Sequence, residues 1–371
     1  MKVAILGAGQ QARGVLYYLN DAENIEAIVI ADHNEDALRD LIRPYLPDPR
    51  IQIVTCDANS VVELTKVLTG CDTAISCLPY SFSLNVTYAA IKAKCNLVDL
   101  GGNNDIVKKQ FSFGEAAIEA GVTIIPDCGL APGLVSLLVA NAYEKMGKVN
   151  SVSIKVGGLP NEQMATFAGP LQYSKVFSTQ GLWNEYVQPA IVRRDGQIKE
   201  IPSLTECYPV TIQGTKLEAF VTSGGISTLP TSFESIDNIE YKTLRYPGHY
   251  NVLRTLKELD QLTVENLDRL IKPCKSDVVF GQVRAIKTNS SIKHCRTYEF
   301  IVRPHFCNEY LITISAMAQA TAFPATILAL MLPYQTNGVL RQETNIDSDL
   351  FIKTLTKSLP IQIVDHIEHE V

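Results

Sequence analysis

Residues 1–14, MKVAILGAGQQARG, decide the fold of this chain. A short apolar run leads into a glycine turn, and a helical pattern begins directly after the turn. Gly7 permits the tight turn, and Gly9 lets the backbone approach a pyrophosphate without a Cβ in the way. Ala12 stands where close packing of a helix on a strand needs a small side chain. The stretch therefore predicts the first strand, turn and helix of a dinucleotide-binding domain.

A dinucleotide would rest its phosphates on this turn. The helix begins at Gln10 and Gln11, where the helix dipole and the unpaired amide donors favour an anion. A second strand, predicted over residues 26–31, ends in Asp32, about 20 residues beyond the turn, where an acid binds ribose hydroxyls. Because this acid repels a 2′-phosphate, the sequence favours NAD over NADP. The alternative is a structural turn followed by an ordinary helix cap.

Three further strands are predicted over residues 51–55, 72–76 and 96–100. In a doubly wound sheet, the carboxyl ends of the parallel strands face the ligand. We therefore expect the cofactor site to include the residues at the ends of the first two of these strands. They are Asp57, Ala58, Ser76, Cys77 and Leu78.

Two of these residues have alternative roles. Asp57 is equally well placed to cap a helix predicted over residues 60–69. Cys77 is most simply a small packed side chain, because no activating histidine lies close to it in the sequence. The sequence alone leaves both alternatives open.

Small and polar residues follow the next two strands. Gly101 and Asn103 come after the strand predicted over residues 96–100. The missing side chains of the glycines there let a ligand approach the backbone. Asp127 follows a strand predicted over residues 122–125 and precedes an apolar helix over residues 134–146. It is placed to orient a substrate amine, and its alternative role is to cap that helix.

The pattern changes beyond residue 150, where extended segments joined by turns predominate. Such a series indicates a mostly antiparallel sheet in a second domain. A buried, alanine-rich helix is predicted over residues 315–332, kinked at Pro324, and we expect it to return to the nucleotide domain. The predicted fold is α/β, a Rossmann doubly wound parallel sheet with a second α+β domain. The expected domains are residues 1–133 with about 315–345, and residues 134–314.

The composition limits the classes of function. A chain of 371 residues, 46% of them hydrophobic, suits two domains with proper cores. The net charge of -6 lacks long charge runs, which argues against nucleic acid or a membrane surface as partner and favours a small-molecule substrate. No stretch reaches the roughly 18 continuous apolar residues of a membrane helix. The nine cysteines include no CxxC pair, so we expect reduced thiols, no metal site and a cytoplasmic location.

Seven segments carry a family resemblance: VDLGGN (98–103), GVTIIPDCGLAPG (121–133), VGGLP (156–160), FSTQGLWNEY (177–186), AFVTSGGISTL (219–229), YKTLRYPGH (241–249) and ISAMAQATA (314–322). In this combination the chain resembles the saccharopine dehydrogenase-like family, and within it looks most like the lysine 6-dehydrogenases. The resemblance implies a nucleotide domain, a mixed-sheet catalytic domain and NAD-dependent oxidation of a lysine-type amine. The product imine hydrolyses to a semialdehyde, which cyclises.

The resemblance and the chemistry together suggest roles in the second domain. Arg245 matches the family's substrate-binding arginine, and its planar fork suits an α-carboxylate better than Lys242 would. The alternative for Arg245 is a surface ion pair. Amine oxidation needs a base that takes a proton from the ammonium form, and Asp127 and His249 are the candidates. The alternative for His249 is a cap or a packed imidazole, and Tyr246 is expected to line the substrate pocket.

Three functions stay open at this point. The leading one is oxidation of the ε-amine of L-lysine with NAD. The nearest alternative keeps fold and cofactor but acts on saccharopine or a carboxylated polyamine. The second alternative is a non-catalytic nucleotide-binding protein, because a fold does not guarantee activity. The antiparallel sheet of such dehydrogenases commonly buries one face against a partner subunit, so a homo-oligomer is expected, most simply a dimer.

Overall fold

A computed structural model of the chain describes residues 1–166, 168–289 and 292–369. The chain forms two compact units, each discontinuous in sequence. Unit 1 is Met1–Leu137, His305–Ile314 and Ala318–Ser358, and unit 2 is Leu138–Pro304, Ser315–Met317 and Leu359–Val371. Compared with the expected domains, residues 305–314 lie in unit 1 rather than in the second domain, and unit 1 continues beyond residue 345.

The strands are, in chain order, β1 (Lys2–Leu6), β2 (Ala27–Asp32), β3 (Ile51–Thr55), β4 (Thr73–Ser76), β5 (Asn96–Asp99), β6 (Thr123–Ile125), β7 (Ser151–Pro160), β8 (Ala190–Arg194), β9 (Gln197–Ile201), β10 (Thr205–Ile212), β11 (Thr215–Val221), β12 (Asn238–Arg245), β13 (Asp277–Asn289), β14 (Ile292–Val302), β15 (His305–Cys307), β16 (Ile312–Ile314), β17 (Gly338–Val339) and β18 (Ile361–His369).

The α-helices are α1 (Gln10–Asn20), α2 (Glu35–Ile42), α3 (Val61–Leu68), α4 (Ser83–Ala93), α5 (Asn104–Phe111), α6 (Gly114–Ala120), α7 (Leu134–Met146), α8 (Glu162–Ala165), α9 (Thr179–Val187), α10 (Leu229–Ser232), α11 (His249–Glu258), α12 (Val264–Leu270), α13 (Ala316–Met331), α14 (Gln342–Asn345) and α15 (Ser348–Leu355).

Unit 1 is built on a seven-stranded parallel sheet. Its strand order is β17-β6-β5-β4-β1-β2-β3. The chain extends from β1 to one side through β2 and β3, and to the other side through β4, so the order reverses between β1 and β4. In open α/β sheets, ligands bind at the carboxyl ends of the strands at such a reversal. The predicted Rossmann class is confirmed.

Helix α1 packs closely on α13, also within unit 1. A Cβ on Gly14 would lie 2.8 Å from the Cβ of Ala322 and 2.9 Å from the carbonyl oxygen of Ala318. Ala12, which was expected to provide the close packing, is fully buried, but Gly14 is the position that requires glycine. The segment Ala316–Tyr334 is the one candidate membrane span among the described residues, with mean hydropathy 1.4; 78% of it is buried, as in a core helix.

Unit 2 is built on a nine-stranded mixed sheet. Seven strands run in the order β10-β11-β12-β7-β13-β14-β18. Strand β8 also pairs with β12, and β9 pairs with β8. Only the pairing of β12 with β7 is parallel among the described pairings of this sheet. The predicted mostly antiparallel sheet is therefore confirmed.

Two parts of the secondary structure differ from the sequence prediction. The sequence predicts one helix over residues 105–120, whereas the structure has two, α5 and α6. They are separated at Ser112, whose Oγ donates to the carbonyl oxygen of Lys109 at 2.6 Å. Serine side chains that bond nearby backbone compete with helix continuation. The sequence predicts no strand over residues 190–201, where the structure has β8 and β9. Asp195 and Gly196 between them both adopt positive φ, as in a tight hairpin.

Candidate functional site

The glycine turn of unit 1 is built from backbone. Gly7 has φ +99°, and its N–H donates to the carbonyl oxygen of Ala31 at 2.7 Å. A Cβ on Gly7 would lie 3.3 Å from the carbonyl oxygen of Cys77, whereas a Cβ on Gly9 would meet nothing within 4 Å. Gly9 makes no side-chain cap to α1. The first turn of α1 thus faces open space beside Gly9, which is where a pyrophosphate needs room.

A buried acceptor in α1 supports the same reading. The side-chain oxygen Oε1 of Gln11 is buried and has no hydrogen-bond partner among the residues that the structure describes. Buried polar atoms in native proteins are nearly always bonded, so an orphaned one needs a water or a ligand group. A ribose or amide donor of a dinucleotide is such a group. The residues present therefore fit the expected cofactor.

Asp32 carries a fixed negative charge at the end of β2. Its Oδ2 accepts from the N–H of Ala8 at 2.7 Å, and its Oδ1 accepts from the N–H of Asn34 at 2.8 Å. The Nδ1 atom of the exposed His33 lies 3.1 Å from Oδ1. These bonds hold the carboxylate beside the glycine turn. A carboxylate there suits ribose hydroxyls and repels a 2′-phosphate.

The structure decides one alternative for Asp57. Ser60, and not Asp57, caps α3, because the Ser60 Oγ accepts from the N–H of Glu63 at 3.3 Å. The Asp57 Oδ1 instead accepts from the N–H and the side-chain amide of Asn59, both at 2.9 Å, and these bonds lower the Asp57 pKa. The capping role is therefore wrong. The role of Asp57 and Ala58 at the adenine edge stays a prediction.

Residues at the end of β4 lie against the glycine turn. Ser76 pairs with Leu6 in the sheet, and the N–H of Cys77 donates to the carbonyl oxygen of Leu6 at 2.8 Å. The Cδ2 atom of Leu78 would lie 3.4 Å from a Cβ on Gly7. Removal from water raises the pKa of the Cys77 thiol to about 12. Cys77 therefore holds its proton, which opposes a role as nucleophile.

Asp99 is a buried carboxylate that holds the loop after β5 through hydrogen bonds, a role that was not predicted from the sequence. Its Oδ1 accepts from the N–H groups of Gly101 and Asp127 at 2.8 and 3.1 Å, and its Oδ2 accepts from Gln110 Nε2 at 2.6 Å. Burial raises its pKa despite these bonds. The sequence did contain a sign of this role, because Asp99 is the last residue of β5 just as Asp32 is the last residue of β2.

Asp99 brings two predicted site residues together. A Cβ on Gly101 would collide with the carboxylate of Asp127, so this position requires glycine. Asp127 is buried and adopts φ +62°, an uncommon conformation for a residue other than glycine. At the start of α7, the N–H of Leu134 donates to the carbonyl oxygen of Gly129 at 2.8 Å, and a cap from Asp127 to this helix stays a prediction. The role of Asp127 as a base also stays a prediction.

Asn103 has a structural role in the same loop. Its side-chain oxygen accepts from the N–H groups of Asp105 and Ile106 at 3.0 and 3.1 Å and so caps α5. Capping bonds of this kind stabilise a helix by about 1 kcal/mol. Its contact with substrate stays a prediction.

In unit 2, Arg245 ends β12 inside a buried network. Its Nε donates to the Tyr186 hydroxyl at 3.0 Å. Its Nη1 donates to the Thr243 hydroxyl at 3.0 Å and to the carbonyl oxygen of Leu244 at 2.8 Å, and Nη2 donates to Glu185 Oε2 at 3.4 Å. The surface ion pair considered for Arg245 is wrong, because the side chain is buried. Of the five guanidinium N–H groups, one on Nη2 stays outside the described bonds.

His249 continues this network and begins α11. Its Nδ1 lies 2.7 Å from the carbonyl oxygen of Leu171, so Nδ1 carries the proton and donates. Its Nε2 then accepts from the Tyr186 hydroxyl at 3.0 Å, and the same hydroxyl oxygen accepts from Arg245. Burial, and then the charge of Arg245, lower the His249 pKa to about 3. His249 is therefore a neutral, packed imidazole, which argues against it as the base.

Glu185 is a further candidate site residue in unit 2, and it was not predicted from the sequence. It lies on α9, and its side chain is 25% exposed, compared with 2% for its partner Arg245. Burial raises its pKa to about 7, while Arg245 acts in the opposite direction. A signal existed, since Glu185 lies in the matched segment FSTQGLWNEY. Its pairing with a residue 60 positions away was not visible in the sequence.

Residues next to the Arg245 network hold it in place. Ser223, in the Ser-Gly-Gly turn, donates its N–H to the carbonyl oxygen of Glu185 at 2.9 Å and so fixes α9. A Cβ on Gly225 would collide with the ring of Tyr241. Tyr246 is buried, and its hydroxyl donates to the carbonyl oxygen of Pro160 at 2.9 Å. Contact between Tyr246 and substrate stays a prediction.

Two family models match the chain. The saccharopine dehydrogenase NADP binding domain matches residues 3–125, and the saccharopine dehydrogenase C-terminal domain matches residues 129–359. Two curated relatives illustrate the similarity. The mitochondrial alpha-aminoadipic semialdehyde synthase of Mus musculus is 26% identical over 274 residues, which is 71% of this chain and 29% of that protein. The saccharopine dehydrogenase (NADP(+), L-glutamate-forming) of Saccharomyces cerevisiae is 25% identical over 305 residues, 78% of this chain and 64% of that protein.

The chain thus spans less than two thirds of the length of these relatives. Among solved structures, apo saccharopine dehydrogenase (L-Glu forming) from Saccharomyces cerevisiae aligns with TM-score 0.78 and 18% identity, covering 99% of both chains. The homospermidine synthase of Legionella pneumophila, in complex with NAD, aligns with TM-score 0.66 and 11% identity, covering 100% of this chain and 91% of that one. At such identities these structures establish the fold alone.

Proposed function

The chain belongs to the saccharopine dehydrogenase family, and from that premise we propose that it is an NAD-dependent dehydrogenase of the ε-amine of L-lysine. The observation that carries the proposal is the charge of the network around Arg245. Within the described part of that network, Arg245 is the one permanent cation and Glu185 the one carboxylate, while His249 is neutral. A near-neutral network suits a small amino acid. A substrate with several carboxylates requires more cations than this network offers.

The chain's own residues have separate tasks in this proposal. Gly7, Gly9 and the start of α1 hold the pyrophosphate, and Asp32 holds the ribose hydroxyls. The bound nicotinamide supplies the hydride acceptor. The amine must be neutral before its carbon can lose hydride, so a carboxylate must first remove an ammonium proton. Of the two bases predicted from the sequence, Asp127 and His249, Asp127 remains a candidate for that step.

NAD is the cofactor that we propose. Its support is the fixed carboxylate of Asp32, which would lie against the 2′-phosphate of NADP. The family's domain is named for NADP, and the yeast relative is named for NADP(+). Both nucleotides therefore belong in every assay.

A second candidate function is oxidation of saccharopine. It is favoured by the names of the relatives, which are saccharopine dehydrogenases and semialdehyde synthases. The structure offers one specific feature in its favour: the unbonded Nη2–H of Arg245 leaves room for one further acceptor. A carboxylated polyamine is a variant of the same candidate.

A substrate panel tests the proposal. Purified protein is mixed with L-lysine, saccharopine or a carboxylated polyamine, each with NAD⁺ and with NADP⁺, and formation of the reduced nucleotide is followed by absorbance. We expect NADH from L-lysine. Turnover of saccharopine without turnover of lysine would replace the first proposal by the second. Nucleotide binding without turnover of any amine would favour the non-catalytic alternative.

We also propose that the protein forms a homodimer. The support comes from β18, an edge strand of the unit 2 sheet. It exposes the apolar side chains of Ile363, Val364 and Ile367. Exposed edges with apolar side chains favour pairing with another strand. Light scattering at micromolar concentration should give twice the monomer mass, and a monomer mass would contradict the dimer.

A further inference from the structure

The Arg245–Glu185 pair has one member that solvent reaches. The Glu185 side chain is 25% exposed and that of Arg245 is 2% exposed, although their charged atoms lie 3.4 Å apart. A ligand arriving from water therefore meets the carboxylate before the guanidinium. This order matters because the two groups attract opposite charges.

Arg245 is already bonded by the protein. Its Nε and both Nη1 hydrogens bond Tyr186, Thr243 and the Leu244 carbonyl, and Tyr173 covers one face with its ring centroid 4.8 Å from Cζ. A bidentate grip on a substrate carboxylate needs two free N–H groups in one plane. In the described contacts one such group remains, so that grip would first have to break the bond to Glu185.

The other titratable groups that face Glu185 cannot replace it as a base. Tyr186 on α9, Tyr173 in the preceding loop and Tyr241 on β12 are buried, and burial raises the pKa of each hydroxyl. His249 on α11 is neutral, with both ring nitrogens bonded. Glu185 is left as the group of this network that can change its protonation near neutral pH.

We propose that Glu185 binds the ammonium of the substrate and takes its proton, with Arg245 as the residue that positions the carboxylate. The inference rests on the proposed amine oxidation and deepens it, because unit 2 then recognises a primary or secondary ammonium through a carboxylate. In the step, one N–H bond of the ammonium breaks and one O–H bond of Glu185 forms. The neutral amine keeps the electron pair that hydride loss requires, and the proton returns to water through the exposed side of Glu185.

Support comes from how α9 is held. The carbonyl oxygen of Glu185 accepts from the N–H of Ser223, and the Ser223 hydroxyl donates to the carbonyl oxygen of Asn184 at 3.0 Å. The next residue, Tyr186, is held by both Arg245 and His249. The carboxylate is therefore attached to backbone that is fixed on both sides, as a catalytic group must be.

The test compares Glu185→Gln with Glu200→Gln, which makes the same chemical change at an exposed glutamate on β9. The measured quantity is kcat/KM for the best amine of the panel between pH 5 and 9. Wild type should lose activity below about pH 7, because protonated Glu185 cannot accept a proton. Glu185→Gln should lower kcat/KM by about 100-fold or more and remove that acidic limb. Glu200→Gln should match wild type.

A second variant keeps the inference testable if Glu185→Gln does not fold. Glu185→Asp keeps the charge beside Arg245, and we expect it to fold, to lose about tenfold in kcat/KM and to retain an acidic limb. NAD⁺ titration into each variant should give the wild-type Kd, since the nucleotide binds unit 1. A Glu185→Gln enzyme that keeps both its rate and its acidic limb overturns the inference. If Glu185→Gln fails to fold, a Glu185→Asp enzyme with unchanged kcat/KM also overturns the inference. Wild type without activity on any amine refutes the proposed function instead.

Discussion

The glycine turn of unit 1 and the Arg245 network of unit 2 are built on opposite principles. The turn uses backbone donors from residues close in sequence, and its one charged group, Asp32, is fixed by two amides. The network uses side chains from α9, β12 and α11 that are distant in sequence and buried. Changes on the open side of the turn, such as those at Gly9, should therefore affect ligand affinity with little loss of stability. Changes in the network should affect activity and stability together.

The largest effect is expected from Arg245→Ala. The variant leaves Glu185 without its charge partner and Tyr186 without a donor, so the free energy of unfolding should fall by about 3 kcal/mol. Activity should fall by about 1,000-fold or more, while NAD⁺ still binds. Urea unfolding, steady-state kinetics and nucleotide titration measure the three quantities. Arg245→Lys is the control that keeps the charge and loses the planar fork. If Arg245→Ala left the free energy of unfolding unchanged, the expectation that changes in the network affect activity and stability together would be wrong.

The next effect is on cofactor choice. Asp32→Ser removes the fixed carboxylate, and the ratio of kcat/KM for NAD⁺ over NADP⁺ should fall by about 10- to 100-fold, the loss of one charged hydrogen bond. Asp40→Ser is the matched control, because Asp40 is exposed on α2 and its described ion pair is with the exposed Arg43 at 3.5 Å. The control should change the ratio less than about threefold. A preference for NADP⁺ in wild type would refute the assigned role of Asp32.

Two glycines of one turn should behave differently. Gly9→Ala places a Cβ in open space, so stability should stay within about 0.5 kcal/mol of wild type, but the Kd for NAD⁺ should rise by about tenfold. Gly7→Ala forces a side chain onto φ +99° and should destabilise the protein by about 1–2 kcal/mol. Urea unfolding and nucleotide titration of both variants separate the two effects. If the Gly9→Ala protein bound NAD⁺ with wild-type affinity, the proposed position of the pyrophosphate against this turn would be wrong.

A further prediction concerns the pH dependence of stability. The folded protein lowers the His249 pKa from 6.5 to about 3, so the unfolded chain binds the extra proton first. The stability from this group is complete above pH 6.5 and is lost as the pH falls toward 3. Between pH 7.5 and 4.5, His249→Phe should lose about 2 kcal/mol less than wild type in urea unfolding. Equal slopes for wild type and His249→Phe would contradict the neutral state of His249.

The two regions also differ in how far the sequence predicts them. The parallel strands, the glycine turn and the place of Asp32 follow from local patterns, and the structure has them as expected. The hydrogen bond from the N–H of Gly101 to the Asp99 carboxylate is also local. It was not predicted because acids at strand ends have several roles. Ser60, and not Asp57, caps α3, since the capping position depends on where the chain leaves its strand.

The Arg245 network could not be predicted in the same way. The resemblance drew attention to Arg245 and His249, but their states depend on burial and on partners such as Tyr186 and Leu171. Glu185 lies 60 positions from Arg245, and its pKa near neutrality comes from burial in the folded protein, which no local pattern predicts. Sequence patterns describe neighbours along the chain, and this network consists of neighbours in space.

The most direct test of the proposed reaction follows the substrate nitrogen. L-lysine labelled with nitrogen-15 on the ε-amine, and separately on the α-amine, is incubated with the protein and NAD⁺. We predict that ammonia released from the ε-labelled substrate carries the label, with one NADH formed for each ammonia, and that the α-labelled substrate releases unlabelled ammonia. Label released from the α-amine, or no NADH from lysine under conditions where the nucleotide binds, would contradict the proposal.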